Sequence, residues 1–190
     1  MKKYFKKSLY YYFGNLLILL SLCGFIALYF PILRLYFFPP HQAAYVPQSN
    51  GYAISVPKIS ASAKIIPHVD PWNEAQYTKA LQQGVAQAKG TALPGQKGTI
   101  FLFAHSSGPP WEQTYYNTLF LRLGELRPGD KIYLYHGQHR YTYQVMDKKV
   151  VWPNQVQYLQ NKEKNQLILQ TCTPIGTSLQ RLLVFAVPQT

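Results

Sequence analysis

The sequence predicts an all-β domain with a few short helices, preceded by one N-terminal transmembrane helix. Three observations carry this expectation. A charge-free apolar run opens the chain, from Leu9 to Phe30. Beyond about position 50, short apolar or alternating runs recur between turn residues, the pattern of a β barrel or sandwich. Sixteen tyrosines, ten phenylalanines and fourteen scattered prolines suit a loop-rich β domain better than a helical bundle. With 190 residues, the chain has room for one anchor and one domain of roughly 140 residues, enough for a core without disulfide staples.

The anchor comes first. The run Leu9–Phe30 has no polar face, as a buried core helix would, and no small-residue cleavage site follows it, as a removed signal peptide would require. About 20 helical residues cross a hydrocarbon core. The span is therefore expected over 9–31, with Pro31 at its exit. Tyr10, Tyr11 and Tyr12 at one end, and Tyr29, Tyr36 and Phe37 at the other, read as interfacial aromatic belts. Lys2, Lys3, Lys6 and Lys7 precede the span, whereas only Arg34 follows closely. The positive-inside rule then makes residues 1–8 a cytoplasmic basic tail and puts the domain on the extracytoplasmic face of the cell membrane. Pro39, Pro40, Pro47 and the polar stretch to Gly51 complete a linker over 32–50, which leaves 51–190 as the folded domain.

The formal net charge of +12 divides along the same line. Five of the nineteen basic residues flank the span. The other fourteen stand against all seven acids, so the remainder carries about +7. These charges are dispersed and accompany no nucleic-acid motif, which argues against a nucleic-acid partner and leaves anionic lipid or wall polymer as attractive surfaces. The two cysteines have different settings. Cys23 lies inside the apolar run, while Cys172 lies in the polar-flanked segment Gln170-Thr171-Cys172-Thr173-Pro174. One belongs in lipid and the other in the domain, so they do not form a disulfide, and an unpaired cysteine outside the cytoplasm is a candidate reactive thiol.

Within the domain, strands are expected near Ala53–Val56, Lys64–Ile66, Thr99–Ala104, Lys131–Tyr135, Tyr141–Val151, Leu167–Thr171 and Leu182–Val187. Short helices are expected near Asn73–Gln83 and Tyr116–Leu121. Turns are marked by Leu93-Pro94-Gly95, Arg127-Pro128-Gly129-Asp130, His136-Gly137-Gln138 and Trp152-Pro153-Asn154. Three chemically capable residues fall at strand ends, where a rigid sheet meets loops: His105 after Thr99–Ala104, Cys172 after Leu167–Thr171, and Arg181 opening the last strand. Thiol acyl transfer needs a nucleophile, a proton-exchanging base and a donor for the developing oxyanion, and these residue types supply all three. Singly, each has a plainer reading: a packed cysteine, a hydrogen-bonded histidine, a solvated edge arginine. His41, His68, His136 and His139 read as structural or surface positions.

Taken together and in order, the motifs of residues 51–187 resemble those of the sortases. Ile168-Leu169-Gln170-Thr171-Cys172 resembles the family's Thr-Leu-x-Thr-Cys signature, with Ile168 in place of the first threonine. Arg181-Leu182-Leu183-Val184-Phe185-Ala186 is similar to the strand that follows the family's cysteine. Gly84-Val85-Ala86 with Gly90-Thr91-Ala92-Leu93-Pro94-Gly95, then Gly98–His105, resemble the approach to its histidine. Leu126-Arg127-Pro128-Gly129-Asp130-Lys131-Ile132 resembles the loop into a middle strand. The chain departs from the family at Ser106, where many members have a basic residue, and in the insert Gly108-Pro109-Pro110-Trp111.

The resemblance implies a single eight-stranded β barrel and a cysteine transpeptidase. By it, Cys172 attacks the threonyl carbonyl of an LPxTG-like C-terminal sorting signal and forms a thioester. His105 protonates the leaving amine and then activates the incoming one, while Arg181 holds substrate and steadies the oxyanion. The implied partners are surface proteins bearing such a signal and an amine acceptor, either a cell-wall peptidoglycan precursor or a pilin lysine. No cofactor or metal is expected: the seven acids form no carboxylate cluster, and the His and Cys spacings do not suit zinc. Two other functions compete. One is a signal-peptidase-like serine protease using Ser106 or Ser107 with a lysine base. The other is a non-catalytic surface β domain that binds wall polymer or a partner protein.

Overall fold

The computed structural model describes residues 2–38, 51–109, 114–160 and 164–189, with side chains described from residue 9 onward and not at Gln160. The linker prolines, His41, and Pro110 and Trp111 of the insert lie outside the described residues. Helix α1 runs Lys2–Phe37, and its stretch Leu9–Phe37 is long and apolar enough to cross a membrane. The helix continues through Pro31, where the sequence suggested an exit. A proline removes one backbone donor, and apolar spanning helices accommodate that loss readily.

Eight strands follow: β1 Tyr52–Val56, β2 Ala61–Val69, β3 Val85–Ala88, β4 Thr99–Phe103, β5 Lys131–His136, β6 His139–Val151, β7 Gln166–Thr173 and β8 Gln180–Pro188. They close into a barrel in the order β1-β2-β3-β4-β7-β8-β6-β5, so no strand presents an open edge. The pairs β2–β3 and β4–β7 are parallel; the other pairs are antiparallel. Parallel neighbours need a crossover, and α2 (Glu74–Leu81) supplies it between β2 and β3. Asn73 caps that helix, its side chain accepting from the Gln76 amide at 3.1 Å. A short α3 (Gln157–Gln160) precedes β7.

The expected turns form. The Gln96 amide donates to the Leu93 carbonyl at 3.0 Å, and the Asp130 amide to that of Arg127 at 3.1 Å. His136 and His139 pair directly across the β5–β6 hairpin. Three differences from expectation have local causes. The eighth strand, β3, was not among those expected from the sequence, because Val85-Ala86-Gln87-Ala88 is short and buried throughout, with no alternation to reveal it. Strand β2 is longer than expected because a register irregularity between Ile66 and Val69 lets pairing with β3 resume after Pro67 and His68. The expected helix at Tyr116–Leu121 is a 3-10 turn over Tyr116–Thr118, followed by another over Leu123–Glu125.

The core is continuous around the barrel, with Ile54, Leu102, Phe120, Leu134, Val145, Leu167, Leu169 and Val184 almost wholly excluded from solvent. Strand β4 and the centre of β7 are buried on both faces, hence their unbroken apolar runs. Gly84 marks the tightest approach. A Cβ built there would overlap the backbone carbonyl oxygen of Lys64, which a rotamer change cannot relieve. Gly84→Ala should therefore destabilise the barrel by about 1–3 kcal/mol. Gly124→Ala, whose Cβ would meet only the Leu182 side chain at 3.6 Å, should stay within about 0.5 kcal/mol of the parent. Urea melts of the two variants, side by side, check the contrast; equal midpoints would refute it.

Candidate active site

Register decides which residues can meet. Strands β4 and β7 pair in parallel from Thr99↔Gln166 to Phe103↔Gln170. The pairing outlasts the formal strand: the Ala104 amide donates to the Gln170 carbonyl at 3.1 Å, and Thr171 Oγ1 donates to the Ala104 carbonyl at 2.9 Å. Carried one step further, the same register sets His105 level with Cys172. On the other side of β7, Cys172 lies directly opposite Arg181 of β8. Cys172 and Arg181 thus face each other across β7 and β8, His105 lies in the segment that continues β4 beside them, and all three line one groove.

Cross-strand partners share a face. Ile100, Leu102 and Ala104, with Leu167, Leu169 and Thr171, belong to one face of the sheet. Phe101, Phe103 and His105, with Ile168, Gln170 and Cys172, belong to the other, and Leu183 and Arg181 join them from β8. This second face floors a groove. Tyr77 and Leu81 of α2 line it on one side, and Tyr158 and Leu159 of α3 on the other. Apart from Gln170 the floor is apolar, and it ends at a histidine, a cysteine and an arginine.

The electrostatics of the three residues follow from their surroundings. His105 is half-buried, and loss of solvent lowers its pKa below the usual 6.5. Its carbonyl accepts from the Phe120 amide at 3.0 Å, tying the residue to the segment that packs beneath it. Arg181 Nη1 donates to the carbonyls of Ser178 and Gln180, at 2.9 and 3.1 Å. Among the described residues no carboxylate pairs with it, so its charge is not neutralised locally. Cys172 is a free thiol, partly exposed in the groove.

Two residues take supporting roles that the sequence did not suggest for them. Thr171 is buried and clasps the end of β4 to β7. Ser107 Oγ accepts from the Gly176 amide at 2.9 Å and joins the loop after His105 to the loop after Cys172. Period-two alternation was the signal for the groove floor, since Phe101-x-Phe103-x-His105 and Ile168-x-Gln170-x-Cys172 must each share a face. The serine alternatives fare poorly. Ser106 is 2% exposed, Ser107 is engaged as described, and no lysine is found among the described groove residues.

Comparison with known proteins bears on the same region. A family model described as the sortase domain matches residues 54–189. Sortase D of Bacillus subtilis is 26% identical over 151 residues, covering 76% of this chain and 68% of that protein. The structure of sortase C1 from Streptococcus agalactiae is 31% identical, with a TM-score of 0.61, covering 78% of this chain and 72% of that one. A pilus-related sortase C of Group B Streptococcus is 27% identical, with a TM-score of 0.62, covering 80% and 77%.

The burial of His105 has a consequence for stability, with a definite sign. Well above pH 6.5 the imidazole is neutral in both folded and unfolded chains. As pH falls through that value the unfolded chain takes the proton first, so stability declines. The decline ends once pH passes the lower folded pKa. His105→Gln should remove this part of the pH dependence. Urea midpoints measured between about pH 7 and pH 5 check it; an unchanged slope in the variant would show that His105 does not contribute.

Proposed function

Because this chain belongs to the sortase family of cysteine transpeptidases, we propose that it joins proteins bearing an LPxTG-like C-terminal sorting signal to an amine acceptor, with Cys172 as nucleophile. The observation that carries the reading is the convergence of His105, Cys172 and Arg181 at the end of one groove.

The reaction divides into two halves. The sulfur of Cys172, as thiolate, attacks the threonyl carbonyl carbon, and the carbonyl π electrons move to oxygen. Arg181 faces that oxygen from the neighbouring strand, and its guanidinium donates hydrogen bonds to the anion while staying charged at any working pH. As the tetrahedral adduct collapses the C–N bond breaks, and protonated His105 gives its proton to the departing amine. What remains is a thioester on Cys172 and a neutral imidazole. An incoming amine then attacks the thioester carbonyl and loses its proton to His105. Collapse expels the thiolate and leaves a new amide. Energy of the cleaved peptide is conserved in the thioester, so no nucleotide cofactor enters.

The acceptor in this reading is a cell-wall precursor amine or a pilin lysine; the pilus-related relative makes the second chemically reasonable. The enzyme acts on the outer face of the membrane. Four lysines in the first turns of α1, ahead of the charge-free run Leu9–Phe30, with only Arg34 close behind that run, favour a cytoplasmic N terminus.

Cys172→Ala should abolish the acyl-enzyme formed with a sorting-signal peptide, read by mass spectrometry of the intact chain. Arg181→Lys should slow turnover severely, because an ammonium cannot reproduce the planar fork. Loss of an oxyanion donor typically raises the barrier by about 2.7–4 kcal/mol. Near-parental turnover in Arg181→Ala would reassign that residue to an edge charge. The orientation is checked separately. A membrane-impermeant thiol reagent on intact cells should modify Cys172 and spare Cys23, and labelling of Cys172 only after cell rupture would reverse the topology.

A further inference from the structure

We propose that the mouth of the catalytic groove rests in the headgroup layer of the membrane crossed by α1, with Trp72, Trp152, Ile175 and Leu179 as its interfacial contacts. The proposal rests on the extracytoplasmic reading above and adds to it a place for the groove relative to the bilayer.

The first observation is where the exposed apolar side chains lie. Among the described residues of the barrel domain, seven large hydrophobic side chains are exposed: Trp72, Met146, Val150, Trp152, Ile175, Leu179 and Val187. Trp72, Trp152 and Ile175 line the groove, and Leu179 belongs to the same β7–β8 loop as Ile175. These four come from three separate connections, β2–α2, β6–α3 and β7–β8, each of which contributes a residue to the groove lining. Leaving Trp72 71% exposed and Trp152 59% exposed in water is costly, and the backbone at each position is fixed by a hydrogen bond. The Trp72 amide donates to Asp70 Oδ1, and the Trp152 amide donates to Gln155 Oε1, each at 2.9 Å. Tryptophan is the side chain best suited to the boundary between headgroups and hydrocarbon.

The second observation is independent of the first. Tyr29 and Ile32 of α1 also line the groove. At 1.5 Å per residue, about 20 residues starting at Leu9 cross the hydrocarbon, so α1 leaves it near Tyr29. With the span set at 9–31, Tyr29 and Ile32 stand at its outer end, which puts the groove they line at the level of the headgroups. Helix and rim thus place the groove mouth at the same depth. The contact is apolar rather than ionic, because among the described groove-lining residues Arg181 is the one Lys, Arg, Asp or Glu. A sorting signal whose apolar tail is still in the bilayer would reach Cys172 without leaving the membrane surface.

The test uses the full chain in phosphatidylcholine nanodiscs that carry a nitroxide on the acyl chain just below the headgroup. One variant keeps only Trp72 (Trp111→Phe, Trp152→Phe) and the other keeps only Trp152 (Trp72→Phe, Trp111→Phe). Each should lose emission to the lipid-borne nitroxide, resist quenching by aqueous acrylamide, and do both equally in low and high salt. Emission untouched by the nitroxide and open to acrylamide would overturn the proposal, including in favour of a protein partner. If either variant fails to fold by near-ultraviolet circular dichroism, Leu179→Trp in a chain lacking the native tryptophans reports the same surface. Acyl-enzyme formation with a soluble sorting peptide is scored on the same samples. Acyl-enzyme without quenching removes the docking alone, whereas quenching without acyl-enzyme strikes the proposed function.

Discussion

Everything at the site depends on the parallel pairing of β4 with β7. A strand that arrived antiparallel would present its opposite end to Cys172, and Thr99 rather than His105 would approach the thiol. Parallel pairing aligns the two C-terminal ends, and the register Phe103↔Gln170 then fixes which residues are level. Parallel neighbours cannot be joined by a tight turn. The chain between them is long and includes β5, β6 and α3, and it supplies the β6–α3 wall of the groove. The topological cost of the pairing and the groove wall are therefore one feature.

Burial on both faces of β4 and β7 makes that register rigid. A slip of one residue would exchange Ile100, Leu102 and Ala104 for Phe101, Phe103 and His105 on the core side, and would bury an imidazole among leucines. The Thr171 hydroxyl adds a directional constraint beyond the last ladder bond. It accounts for the Ala104 carbonyl, which is buried with the residue. The site is held by hydrophobic packing in its strands and by a few specific hydrogen bonds at their ends. The joined loops above it, through Ser107 and Gly176, remain outside the sheet ladder.

Much of this was legible in the sequence, for physical reasons that differ between elements. The apolar N-terminal helix, the alternating strands β5 and β6, and the turns at Gly95, Gly129 and Gly137 were readable because composition and backbone freedom are local properties; all three glycines have positive φ. The strand-end placement of His105, Cys172 and Arg181 was equally local. Their convergence on one groove was not. Register between strands more than sixty residues apart is set by the whole barrel and entered only through the family resemblance. Strand β3 escaped notice because four buried residues carry no period. The continuation of α1 through Pro31 did so because proline marks a boundary in water more firmly than in an apolar setting.

The lowered pKa of His105 exposes a tension within the proposed reaction. The first half needs the imidazole protonated, to supply the leaving amine, and burial makes that form scarce above pH 6.5. The second half needs it neutral, to accept a proton from the incoming amine, and burial favours that form. Partial burial of His105 therefore favours resolution of the thioester over its formation. It also keeps solvent from much of the imidazole that would otherwise activate water.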